Sequence, residues 1–300
     1  MIEPLDIRYV RLGTPDRATA DAFVTTLVGL ERVRDEAGAL YYRSDQRDHT
    51  LVYFDGDPQD HTVGFELRDA AALDAAAAEL SNAGLAVQRG SADACEQRRV
   101  RDFIAFRDLT GNAIELVIGP QHSGTRHFPS RDAGITGFSH VGLCSRDPQR
   151  DERFWTGHLN ARVSDRIGDA ALLRIDPVHH RVALFPTQRA GVQHINHQVA
   201  GIDDIMRAWY LLQKRGVRTV FGPGRHPTSG AMFLYFEGPD GMVFEYSSGV
   251  RLIAPEAEAH YQPRQFPRCN ESFCQWGSVP DIAEFRGVSG GGAATASGPA

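Results

Sequence analysis

Three side chains able to hold a metal ion, His140, His197 and Glu245, lie far apart in the 300-residue chain, each at the corresponding place of a recurring strand-helix-strand pattern. Two neutral imidazoles and one carboxylate leave several positions of a ferrous ion open, so that a substrate and O2 can meet on one metal. That is oxygenase chemistry. A single histidine on a strand is more often a hydrogen-bonded structural residue, so the weight rests on three ligands falling in register. Glu245 lies within Met242-Val-Phe-Glu-Tyr246, a strand pattern that buries its carboxylate, and a buried carboxylate needs a cation or strong donors. His194 competes with His197, but residues three apart on a strand face opposite sides, and the repeat register selects His197. His179 and His180 are opposed neighbours, so at most one faces the site.

The elements that must position these residues recur four times, with strand entries at 7–12, 62–67, 137–144 and 195–199 at intervals of roughly 50 to 60 residues. Helices are predicted over 70–83 and 203–215, stopped by Gly84 and Gly216. Gly-bearing turns at 108–112 and 238–241 are each followed by a glutamate four residues past the glycine, Glu115 and Glu245. The chain therefore reads as α+β: four βαβββ modules paired into two similar open-barrel domains. These are residues 1–120 and 135–250, joined by a linker over 121–134. Laying the halves in register pairs Tyr9 with His140, Thr62 with His197 and Glu115 with Glu245, so the N-terminal half has lost its metal site.

Residues 251–286 form an aromatic C-terminal arm expected to pack over the cup, over a neighbouring subunit, or merely over apolar surface. Residues 287–300 are too poor in apolar groups to fold alone and are expected to be disordered. Hydrophobic residues at 42% and charged residues at 23% allow two ordinary cores. A formal charge of -6 without a long basic run excludes nucleic acid or an anionic membrane surface as partner. The N-terminus has neither the basic start nor the apolar run of a secretory signal, and no segment is long and apolar enough to span a bilayer, which implies a cytoplasmic location. Cys95, Cys144, Cys269 and Cys274 include no CxxC pair and read as reduced thiols. Exposed sheet edges and the arm imply a homo-oligomer.

Over residues 5 to 250 the chain resembles the type I extradiol ring-cleavage dioxygenases of the vicinal oxygen chelate superfamily, similar to the two-domain 2,3-dihydroxybiphenyl 1,2-dioxygenases. The matching segments are FSHVGL around His140, HHRVALF at 179–185, INHQVAGIDDI around His197, and GRHPTSGAMFLYFEGPDGMVFEY at 224–246. The resemblance implies that His140, His197 and Glu245 bind Fe(II), with Mn(II) as the alternative ion, and that no organic cofactor is used. It implies that His180 is the active-site acid/base beside O2, and that His226 and Tyr235 hydrogen-bond the substrate hydroxyls. The substrate would be a catechol, bicyclic or substituted monocyclic, cleaved with O2 next to its diol. Two departures stand. Ser229 and Gly230 replace a polar Asn-Asp pair that supports the histidine in many relatives, and the spacing from His180 to His197 is longer than usual. Competing readings are a glyoxalase-like isomerase or lyase on the same scaffold, and a metal-free protein that binds aromatic compounds.

Overall fold

A computed structural model describes residues 1–285. The expected tail over 287–300 lies outside the described residues. Strands Asp6–Thr14, Glu31–Glu36, Ala39–Arg43 and Leu51–Asp55 with helix Arg17–Phe23 make the first copy, and Ile135–Ser145 through Val182–Pro186 with helix Pro148–His158 repeat it. The second and fourth copies are built around helices Ala70–Asn82 and Ile202–Lys214. Asp69 caps the former through Ala72 N, while Gly84 and Gly216 take the left-handed φ that ends each helix.

Each pair of copies shares one sheet, of eight strands in the first half and nine in the second. In both halves the first strands of the two copies pair antiparallel at the centre: Asp6–Thr14 with His61–Leu67, and Ile135–Ser145 with Val192–Val199. The ninth strand is Arg264–Phe266 from the C-terminal arm, added parallel to Arg162–Ile167. The second copy departs from the pattern: helix Ala92–Arg98 is inserted, and its second strand shrinks to Gln88–Arg89.

One face of both sheets, with the helices, merges into a single hydrophobic core that crosses between the halves. The exchange is reciprocal. Trp155 on helix Pro148–His158 meets Phe65 of the first sheet edge-on at 5.6 Å, and Phe23 of the first helix lies against Phe236 and Phe244 of the second sheet. The opposite faces form two separate cups, each with its own aromatic lining. No described helix is long and apolar enough to cross a membrane.

Candidate metal centre

Strand parity decides which side chains reach the second cup. His194 lies opposite Gly142, and Asn196 lies opposite both His140 and Glu245 across the flanking strands. His140, His194, Asn196 and Glu245 therefore share the concave face, whereas Ile195 points into the core behind it. The three potential ligands converge: His140 Nε2 lies 3.1 Å from His194 Nε2 and 3.0 Å from Glu245 Oε2, and His194 Nε2 lies 3.4 Å from the same oxygen.

The structure thus brings His194, not His197, beside His140 and Glu245. His197 faces the core, fully buried against Phe138 at a centroid separation of 5.9 Å, with neither ring nitrogen hydrogen-bonded. The error was one of register. Thr62 stands eight residues before its helix at Ala70 and His194 eight residues before Ile202, so Thr62 corresponds to His194. With this correction the spacing from His180 to the converging histidine is three residues shorter. Gly142 is the sign the sequence did carry: a Cβ there would stand 2.4 Å from His194 Nδ1, so the imidazole needs a glycine beneath it.

The donor set suits a divalent cation. His194 Nδ1 is hydrogen-bonded to Gln193 Oε1, an oxygen that only accepts, so its proton sits on Nδ1 and Nε2 presents a lone pair to the site. Burial lowers the His194 pKa to about 3, keeping the ring neutral. For Glu245, burial pushes the carboxyl upward but the neighbouring His140 outweighs it, holding it well below the usual carboxylate range. A neutral His194 nitrogen and an ionised Glu245 oxygen meet beside His140 in a site buried within the protein, the state in which such groups bind iron or manganese.

His180, His226 and Tyr235 surround this cluster. The His180 ring packs 4.2 Å from that of His140. His179 connects it to an acid: His179 Nε2 lies 2.9 Å from Asp165 Oδ2, and His179 Nδ1 lies 3.0 Å from His180 Nδ1. Both members of the histidine pair thus take part, one in the cup and one behind it. Asp165 is fully buried and is also held by Arg264 of the arm at 2.6 Å. Burial, against the pull of Asp165, lowers the His179 pKa, so this ring is neutral. His226 Nε2 lies 3.2 Å from the Tyr235 hydroxyl and 3.7 Å from Glu245 Oε1. Burial, then the charge of Glu245, raises the Tyr235 pKa well above a free phenol's, so it remains a hydrogen-bond donor.

Support for His226 comes from the arm. His226 Nδ1 donates to the carbonyl of Phe273 at 2.8 Å, and its ring stacks on Phe233 at 3.9 Å. Phe273 and Phe285 of the arm complete the cup together with Phe185, Ile167 and Leu172. Nothing in local sequence pattern signals these contacts; only the aromatic content of the arm hinted at them.

The first cup holds an ion pair at the corresponding place. Glu115 receives a two-pronged ion pair from Arg98, at 2.6 and 2.8 Å, and a hydrogen bond from Tyr9 at 2.6 Å. A guanidinium supplies the positive charge there. His49, two residues before strand Leu51–Asp55 as His180 is two before Val182–Pro186, still packs on Tyr9 as His180 packs on His140.

The sequence profile of the Glyoxalase/Bleomycin resistance protein/Dioxygenase superfamily matches residues 6–116 and 137–246. A biphenyl-2,3-diol 1,2-dioxygenase from a Pseudomonas species is 30% identical over 82% of this chain and 89% of its own length. An iron-dependent extradiol dioxygenase from Rhodococcus jostii is 27% identical over 84% and 91%. Among solved structures, the Mn(II)-bound glyoxalase from Novosphingobium aromaticivorans superposes with a TM-score of 0.83 at 25% identity, covering 93% of each chain. The matched profile spans most of both sheets and all three converging side chains, and the chain belongs to the Glyoxalase/Bleomycin resistance protein/Dioxygenase superfamily.

Proposed function

We propose that the chain is an extradiol dioxygenase that cleaves the ring of a substituted catechol, 2,3-dihydroxybiphenyl-like, with O2 at an Fe(II) held by His140, His194 and Glu245. The observation that carries this reading is the convergence of two imidazoles and one carboxylate on a cavity that also exposes His180, His226 and Tyr235. The names of the relatives from Pseudomonas and Rhodococcus support the same chemistry.

Bound there, iron would act as a Lewis acid that lowers the pKa of the diol and as the electron path between the ring and O2. The protein's own groups handle the protons. His179 donates from Nε2 to Asp165 and is neutral, so its Nδ1 can only accept; His180 therefore carries its proton on Nδ1 and leaves Nε2 bare. A catechol proton taken up at His180 Nε2 is retained by an imidazolium whose other N–H stays bonded to His179, and the same Nε2 can return it to an oxyanion later in the cycle. By the same logic His226, with its Nδ1 proton committed to Phe273, accepts at Nε2 from Tyr235, which aligns the phenol. The apolar walls exclude water and strengthen each of these interactions. Both oxygen atoms of O2 enter the product, a conjugated ring-opened acid carrying an aldehyde or ketone.

Anaerobic reconstitution with Fe(II), and separately Mn(II), followed by a catechol panel under air tests the proposal. Strong near-visible absorbance is expected from at least one catechol, and its absence with every catechol and both metals would remove the oxygenase reading. The likeness to a Mn(II) glyoxalase raises isomerase chemistry as the second reading. The groups around the triad, His180, His226 and Tyr235, do not include the second carboxylate that such chemistry often employs.

A further inference from the structure

We propose that Phe285, near the far end of the C-terminal arm, sets the size of the ring substituent the site accepts, by standing in the slot that an aryl group would take; this rests on the extradiol reading. The cavity beside His180, His194 and Tyr235 is about 30 Å³. That is on the order of a tenth of the smallest clefts that hold an organic ligand. The missing space is filled by a phenyl ring. Phe285 is 2% exposed, lies 4.6 Å from the Phe185 ring, stacks on Phe273 at 5.2 Å and 13°, and presents an edge contact to Tyr235 at 5.8 Å. Its centroid is 6.4 Å from that of His194.

Phe273 and Phe285 differ in how firmly they are held. Phe273 is fixed by its carbonyl on His226, and Cys274 N bonds back to Asn270 O. Phe285 N bonds back to Ile282 O at 3.1 Å, and its neighbour Glu284 is held by Arg268, which reaches the Glu284 carbonyl at 2.6 Å, and by the partly exposed pair Arg189–Glu284 at 3.2 Å. Exposed ion pairs of this kind are weak, so Phe285 is the roof element that yields. A hydrogen or methyl next to the diol asks for a small displacement. A phenyl substituent requires the whole Phe285 ring to leave, and the aromatic walls it vacates are those that would receive the new ring.

The test compares wild type, Phe285→Ala, Phe285→Leu and Phe285→Trp, Fe(II)-loaded, with 3-methylcatechol and 2,3-dihydroxybiphenyl. Anaerobic Kd and aerobic kcat/KM are measured for each. Phe285→Ala and Phe285→Leu are expected to shift preference toward 2,3-dihydroxybiphenyl at least tenfold in both quantities, with Phe285→Trp shifting it the other way. Ring cleavage with an unchanged preference in all three variants overturns the role of Phe285 and leaves the oxygenase reading intact. Binding preferences that shift without any ring cleavage support the role of Phe285 and overturn the oxygenase reading instead.

Discussion

Two histidines three residues apart face opposite sides of one strand, His194 toward His140 and Glu245 and His197 toward Phe138. His194→Ala is expected to abolish iron retention and ring cleavage, whereas His197→Leu should keep both, because neither ring nitrogen of His197 has a partner to lose. Elemental analysis after gel filtration decides the matter, and stoichiometric iron on His194→Ala would restore the original register. A second expectation concerns acid stability. Burial lowers the pKa of His197, and of His49 in the first cup, from 6.5 to about 4. Between about pH 4 and 6.5 the unfolded chain binds protons that the folded chain refuses. The stabilisation is therefore complete above 6.5 and lost as pH falls toward 4. Each shift corresponds to about 3 kcal/mol. Urea midpoints measured at pH 7 and pH 5 should fall less in His197→Leu than in wild type; an equal fall would mean that His197 already titrates near its ordinary value.

At the level of elements, the glycines and the arm do what the ligands cannot do alone. Gly142→Ala places a methyl against the His194 imidazole and is expected to weaken metal affinity by roughly 10- to 100-fold, as displacing an orienting neighbour does. Metal titration by calorimetry reads this, and unchanged affinity would show that the ring has room to move. The repeats, the two long helices and the turn glutamates were legible in the sequence because caps, helix stops and turn residues are local signals. The place of His194 was less so. Its strand begins at Val192, three residues before the entry read from the sequence, and that error carried Thr62 onto the wrong histidine. The roles of Phe273 and Arg264 could not be read at all. Each acts through a contact with residues dozens of positions away, His226 in one case and Asp165 in the other, which no periodicity reveals. In the first cup, Arg98→Met leaves the buried Glu115 without its cation and is expected to cost roughly 3 kcal/mol. Adding Glu115→Gln should recover part of that loss in chemical denaturation.

For the whole molecule, the shared core implies that a site confined to one half governs the stability of both. The Tyr246 hydroxyl donates to the Val28 carbonyl at 2.6 Å, Asn112 Nδ2 donates to Cys144 O at 2.9 Å, and Trp155 is buried against the opposite sheet. These contacts join the halves through close-packed side chains rather than through the connecting segment alone. Neither sheet therefore keeps its core if the other unfolds, and calorimetry is expected to show one cooperative transition. A metal bound only by the folded second cup stabilises the protein by RT ln(1 + [metal]/Kd), about 2.7 kcal/mol at a hundredfold excess over Kd. Because unfolding is shared, this gain should slow hydrogen exchange in strand Asp6–Thr14 of the first sheet as much as in Ile135–Ser145 of the second. Trp155→Ala removes the largest side chain of the junction at a cost of about 3–5 kcal/mol and should break that coupling. In the variant, the metal would protect the second sheet while leaving the first nearly unchanged. If Fe(II) protects only the second sheet in the wild-type protein, the halves are energetically independent despite their common core.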